Sequence, residues 1–281
     1  MTRLLVVTAD DLALTEGVNA AVRRGHVDGI VTATSVLAVG RAFDDAAQLA
    51  RDLPDLELGA HLALVGEDPP LLPPGRIPSL VDADGRFPLS YRTVVARGLA
   101  GRLDLVDIRR ELGAQLERIR GIGVPVTHVD THQHTHLWPG VARVVADLAR
   151  EAGIPAVRLP RSHAGGVIGI GTKPLTHLLD RRLRRSGLRT TADYAGLDEA
   201  GHLDADRFAR TLAAAARRGA VSLEINSHPG TAGDPELARF DWDDYQWADE
   251  LDMLTSPPTR QLVLQHGYAL AGFRDLERIP A

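Results

Sequence analysis

The chain has 281 residues, 44% hydrophobic and 25% charged, with a formal net charge of −5 and a pI near 6.1. This length and composition suit a folded globular protein with room for a complete (β/α) barrel, and they exclude a disordered chain. The acidic balance gives no basic stripe for neutralising nucleic-acid phosphates, and the absence of cysteine excludes disulfides and thiolate metal sites, so any metal must be held by imidazole and carboxylate.

Residues 3–8 are an apolar, β-branched run of the kind that forms a buried parallel strand, and a helical stripe carrying Val18, Ala21 and Val22 follows from about residue 15. The run breaks into acid at Asp10-Asp11, and no apolar stretch approaches the ~18 residues of a membrane span. Neither export nor membrane insertion is expected, and a cytoplasmic location is. Strands are predicted at 31–39 and 56–64 with a helix at 41–51 between them. Residues 65–88, rich in Pro, Gly and Asp, are too long for a routine connection and are expected on the substrate-facing rim. Beyond them the rhythm continues: a helix at 105–119, a strand at 124–130, a helix at 139–151, a strand at 156–159, a helix at 204–218, a strand at 220–226, a helix at 258–266 and a strand at 268–271. The arginines of 180–189 read as a solvated helix face. With no repeat and no linker, the chain is expected to be a single α/β domain over 1–281, a TIM-barrel-like (β/α) barrel of about seven parallel strands.

Such barrels carry their chemistry at the C-terminal ends of the strands, and that is where the titratable residues fall. The strands end in Asp10-Asp11, in His61, in Asp130-Thr131-His132 and in Asn226-Ser227-His228. One carboxylate and two imidazoles leave positions open for water and substrate, which is the pattern of a hydrolytic centre and not of a closed structural metal. Asp11, His61 and His132, each at the end of a different strand, are the expected metal ligands. Asp10 cannot readily reach the same atom as Asp11 from an extended chain and is expected to act as general base. His228, fixed by the Pro-Gly that follows it, is expected to protonate a leaving group.

The stretch THVDTHQHTHLWPG spaces His128, Asp130, His132, His134 and His136 at every second position, so that one continuous strand over 126–136 would point all five to one face. His134 and His136, further into the loop, are expected to be supports or substrate contacts. His128 is expected to be buried or to stand behind the ligands, as is Asp130.

The segments LLVVTADDLALTEGVNAAV, GIVTATSVL, LELGAHLAL, THVDTHQHTHLWPG and INSHPG, in this order over residues 4–230, resemble the YdjC-type carbohydrate deacetylases, which include chitooligosaccharide and hopanoid-associated deacetylases. The resemblance implies a TIM-barrel-like fold, a divalent metal and hydrolysis of an N-acetyl group from an acetylated amino sugar. By its pattern the ligands fall on Asp11, His61 and His132, the base on Asp10 and the HPG histidine on His228. The cation is expected to be Mg or Zn. The expected partner is a small acetylated sugar, with no nucleic acid and no membrane, and a homodimer is left open. Leu12-Ala13 and Gln133 depart from the family's usual Phe-Gly and His, which leaves the sugar itself undetermined. Trp138, Trp242, Tyr245 and Trp247 are candidates for stacking on sugar rings. The rival readings are another barrel metal hydrolase, such as an amidohydrolase or phosphoesterase, and a non-catalytic sugar- or metal-binding module. The Asp-Asp start disfavours the first, because those barrels usually begin with His-x-His.

Overall fold

A computed structural model describes residues 2–240, 242 and 244–278. In chain order the regular elements are β1 (Arg3–Leu12), α1 (Glu16–Val27), β2 (Ala33–Leu37), α2 (Phe43–Asp52), β3 (Glu57–Leu62), α3 (Tyr91–Leu99), α4 (Leu105–Arg120), β4 (Val126–Thr131), α5 (Pro139–Glu151), β5 (Ala156–Val157), α6 (Gly166–Arg185), β6 (Asp193–Ala195), α7 (Ala205–Arg217), β7 (Ser222–Ser227), α8 (Trp247–Thr255), α9 (Pro257–Gln265) and β8 (Tyr268–Leu270). Every expected strand and helix is present. The sequence did not indicate β6, only three residues long, or the helices α3 and α8, and of α6 it indicated only the arginine-rich end.

The strands form an 8-stranded sheet in which β5, β4, β3, β2, β1, β7 and β6 lie side by side and β8 pairs with the start of β1. All the pairings are parallel. The strands run around a TIM-barrel-like curl whose ends, β5 and β6, are not paired with each other; an isolated bridge joins Ala156 of β5 to Arg189, ahead of β6.

Alternation along each strand divides the side chains between two environments. On β7, Leu223 and Ile225 belong to the large apolar core shared with the helices, whereas Glu224 and Asn226 have the opposite parity. Inside the curl a smaller apolar cluster of Val6, Ala33, Ala156, Phe273 and Leu276 forms a floor. The C-terminal turn that supplies this floor is pinned by Glu57, whose Oε2 accepts from the backbone N–H of Phe273 at 2.8 Å. His128 stacks on Phe273 with ring centroids 3.8 Å apart, so it belongs to the floor. Above it lies a polar layer of Asp10, Ser35, His61, Asp130, Arg158 and Glu224, all buried.

Of residues 65–88, expected on the rim, the start reaches the candidate metal centre, with Glu67 accepting from Trp242 Nε1 at 3.0 Å. The middle of the segment is packed on α4: Glu111 accepts from the N–H groups of Leu71 and Leu72, Asp107 accepts from that of Ser79, and Ile77, Leu80 and Phe87 are buried. A long Pro-rich segment can thus be a second layer over a helix.

Gly59 on β3 leaves the space that His128 fills, since a Cβ there would lie 2.2 Å from His128 Nε2, and the ring cannot retreat from Phe273. Gly59→Ala is therefore expected to destabilise the fold by ~1–3 kcal/mol through overpacking, read as a lower urea midpoint at unchanged slope.

Candidate metal centre

The two adjacent aspartates face different partners because the backbone of β1 breaks between them. Asp11 adopts φ 62 and Ala13 φ 83, and the register against β2 shifts between Ala9 and Leu12. Left-handed conformations in non-glycine residues are rare and cluster at functional sites. The helix that follows is capped by Thr15, whose Oγ1 accepts from the N–H of Val18, so neither aspartate is needed as its cap.

Asp11 Oδ1 lies 3.0 Å from His132 Nδ1 and 3.3 Å from His61 Nε2, and these two nitrogens are 3.3 Å apart. Donors about 2.1 Å from a shared cation sit roughly 3.0–3.4 Å from one another, so the spacing suits a divalent ion. The hydrogen-bond accounting agrees. His61 Nδ1 donates to Asp130 Oδ1 at 2.6 Å, which fixes the tautomer and leaves the Nε2 lone pair aimed at Asp11. A carboxylate oxygen and an imidazole lone pair facing each other need a positive centre between them, a proton on Nε2 in the metal-free protein or a metal ion in its place. The residues present fit a divalent metal held by Asp11, His61 and His132, the set expected from the sequence.

Asp10, His61 and Asp130 also converge within ligand distance of one another. There a side chain supplies the cation. Arg158 is fully buried and offers Nη1 to Asp10 Oδ2 at 2.6 Å, Nη2 to Asp10 Oδ1 at 2.7 Å and Nε to Glu224 Oε1 at 2.7 Å. Its Nη1 also lies 2.7 Å from Asp130 Oδ2, at an angle that makes an ion contact and not a hydrogen bond. Asp10 further accepts from Ser35 Oγ at 3.0 Å and Asn226 Nδ2 at 2.9 Å. Arg158, Glu224, Ser35 and Asn226 were not expected as a set. The signal for Asn226 was its place at a strand end, whereas Arg158 sits in the short apolar AVRLP.

These charges set the protonation states. Burial would raise Asp11, but His132 and His61 beside it hold its carboxyl well below the usual range. Burial opposes charge on His61, and Asp130 and Asp11 outweigh it, raising His61 to about 10 in the metal-free protein. Burial raises Glu224 to about 7 even though Arg158 pulls it down. Asp130 is lowered far below its ordinary value because Arg158 and His61 overcome its burial.

The other histidines take up structural posts. The strand stops at Thr131, and positive φ at Gln133 and His134 breaks the single-face pattern that a continuous strand would give. His136 is buried, with Nδ1 2.6 Å from Thr131 Oγ1 and Nε2 3.0 Å from the Arg158 carbonyl, and burial lowers it to about 4. His128 lies in the floor, lowered to about 3 by burial. His134 borders the cleft with Nε2 3.2 Å from Tyr194 Oη. Gln133 ties down residues 89–91 by accepting from the Tyr91 N–H and donating to the Leu89 carbonyl.

The centre opens into a cleft of about 690 Å³ whose lining includes Asp10, Asp11, His61, His132, His228 and Tyr245. Tyr91, Arg92, Val94 and Val95 of α3 form one wall, so the helix after the Pro-rich segment provides the surface expected of the segment itself. Trp138 and Trp242 line the cleft, Trp247 stacks with Trp242, and Leu12 is buried away from it. His228 is half-buried, its backbone N–H donates to Glu250 Oε2 at 2.5 Å, and its ring meets Tyr245 edge-on at 5.2 Å.

This is a TIM-barrel-like (β/α) fold with a carboxylate–imidazole cluster able to hold a cation at the C-terminal ends of its strands, a layout suited to metal-assisted hydrolysis. The chain belongs to the YdjC-like protein family, whose pattern matches residues 4–265. It is 33% identical to a chitooligosaccharide deacetylase of Klebsiella pneumoniae (strain 342) over 98% of this chain and 100% of that protein. To the protein of the same name in Salmonella typhimurium strain LT2 it is 31% identical, with the same coverage. A crystal structure of an Enterococcus faecalis V583 protein, provisionally named a cellobiose-phosphate cleavage protein, superposes with a TM-score of 0.83 at 25% identity, covering 98% of this chain and 99% of that one.

Because His61 must lose a proton held up to about pH 10 before Nε2 can act as a ligand, metal loading should release protons. Apparent affinity for Zn is expected to fall by up to roughly tenfold for each unit that pH drops below neutrality. Calorimetric titrations in buffers of different ionisation enthalpy check this, and a pH-independent affinity would contradict it.

Proposed function

We propose that the protein is a metal-dependent carbohydrate deacetylase that hydrolyses the N-acetyl group of an acetylated amino sugar or oligosaccharide. The observation that carries this reading is the convergence of Asp11, His61 and His132 beside an Arg158-anchored Asp10 in an open cleft, in a chain matching chitooligosaccharide deacetylases along their whole length. Asp11, His61 and His132 would hold the cation, Mg or Zn. A divalent cation in such a site supplies Lewis acidity, polarising a carbonyl and acidifying water.

The remaining work belongs to side chains. Asp10 takes the proton from the attacking water. Its two oxygens already receive Ser35, Asn226 and both terminal nitrogens of Arg158, so one donor must yield, and the Ser35 hydroxyl can do so by rotation. Arg158 keeps the carboxylate in place while this happens. His228, on the opposite side of β1 from His61, delivers a proton to the departing amine as the C–N bond breaks, giving acetate and a free amino sugar. Trp138 and Tyr245 present ring surface to the sugar.

No described helix is long and apolar enough to cross a membrane. We place the enzyme in the cytoplasm, acting on a small sugar with neither nucleic acid nor membrane as partner.

Filled lone pairs on Asp10 favour a second reading, in which Asp10 is an anchor and His228 is both base and acid. Two substitutions separate the roles. Asp11→Asn is expected to lose bound metal and acetate release together. Asp10→Asn is expected to keep the metal and slow acetate release by roughly 10²- to 10⁴-fold. Metal content by mass spectrometry and initial rates at saturating metal are the measurements. A metal-replete Asp10→Asn with near-native rate would move the base to His228, and wild-type protein that retains acetylated sugars without releasing acetate would make it a binding module.

A further inference from the structure

The two imidazoles of the centre are held in different ways. His61 has a carboxylate behind it, because Nδ1 donates to Asp130 and leaves only Nε2 for a ligand. His132 presents Nδ1 to the centre, and its Nε2 has no hydrogen-bond partner among the described residues. A metal-binding histidine without a partner on its second nitrogen must have its ring plane fixed by something else, since an outer hydrogen bond usually sets it.

The structure offers one candidate. Trp242 stacks on His132 with ring centroids 5.4 Å apart and planes inclined by 26°. The indole is itself pinned, because its Nε1 donates to Glu67 Oε1 at 3.0 Å. Glu67 follows Gly66, whose φ of +123 takes the chain close past the outer edge of the same imidazole: a Cβ on Gly66 would lie 3.8 Å from His132 Nε2. Two segments distant in sequence thus close on one ring, one through an aromatic face and the other through a single hydrogen bond to that face. Glu67 has no ion pair with a cationic side chain among the described residues, which leaves the indole N–H as the partner that its position serves.

We infer that Trp242 and Glu67 are a positioning pair for the metal ligand His132, with Trp242 holding the imidazole plane by stacking and Glu67 acting only through Trp242. This rests on the reading of Asp11, His61 and His132 as a cation site and extends it to two residues that do not touch the cation. The pair takes over for His132 the task that Asp130 performs for His61.

The test is metal affinity without substrate, measured by competition with a chromophoric chelator for Zn, together with the visible spectrum of the Co-loaded protein. Trp242→Leu is expected to weaken Zn binding by roughly 10- to 100-fold, the usual effect of losing an outer partner of a ligand, and to shift the Co spectrum. Glu67→Ala removes one hydrogen bond and is expected to cost about 3- to 10-fold. Glu67→Gln keeps an oxygen acceptor for the indole and should bind like wild type. Because Glu67 acts through the indole, the double variant Glu67→Ala/Trp242→Leu should bind no more weakly than Trp242→Leu alone.

Wild-type affinity in Trp242→Leu overturns the inference, and so does additivity in the double variant. A loss in Glu67→Gln equal to that in Glu67→Ala would show that Glu67 acts by its charge and would overturn it equally. Wild-type protein that binds no divalent cation at all removes the metal reading itself, an outcome distinct from variants that bind as wild type does.

Discussion

A fully buried guanidinium shared among three buried carboxylates is the constraint on which the site depends. Arg158 cannot give up its proton, and an isolated charge in such a place is costly, so it must be surrounded by anions. Asp10, Asp130 and Glu224 supply them from β1, β4 and β7. Each can be brought into the barrel interior only because Arg158 is there. Removing the guanidinium would leave carboxylates without a counter-charge, a type of change that usually costs ~3–5 kcal/mol. The polar layer is in this sense one unit, and its two visible functions, a fixed Asp10 and a fixed His61, share a single support.

That support also explains how two adjacent carboxylates acquire different surroundings. Asp10 is turned toward the guanidinium, and the left-handed backbone at Asp11 turns the next carboxylate toward the histidines. A second cluster of potential ligands, Asp10 with His61 and Asp130, is geometrically able to hold an ion, but Arg158 Nη1 already lies against both of its carboxylates. One cation of the centre is thus built into the chain, and the proposed divalent ion would come from solution. The apolar floor of Val6, Ala33, Ala156, Phe273 and Leu276 closes the barrel beneath both.

Much of this was legible in the sequence, and the reasons are physical. Parallel strands buried on both faces read as apolar runs, and acids and histidines clustered at their ends mark the rim of a barrel, so Asp10, Asp11, His61, His132 and His228 could be picked out by position. Arg158 could not, because the strand it follows is two residues long and its meaning comes from partners up to 148 residues away in the chain. The histidine run needed the strand's end to be read correctly. Spacing by two implies a common face only while the strand continues, and left-handed Gln133 and His134 end that regularity, sending His136 to brace the Arg158 carbonyl. The Pro-rich stretch carried the composition of a surface loop, yet buried acids of α4 capture its backbone. Composition cannot show which helix will accept a loop's N–H groups.

The central claim is that the molecule contains two adjacent cation positions, one filled by Arg158 and one made for a divalent ion. Anomalous diffraction from crystals soaked in Mn or Zn tests it most directly. The account predicts one strong peak, bounded by Asp11 Oδ1, His61 Nε2 and His132 Nδ1, with Arg158 undisturbed between Asp10 and Asp130. A peak among Asp10, His61 and Asp130 with the guanidinium displaced, or no peak in the barrel at saturating metal, would contradict it.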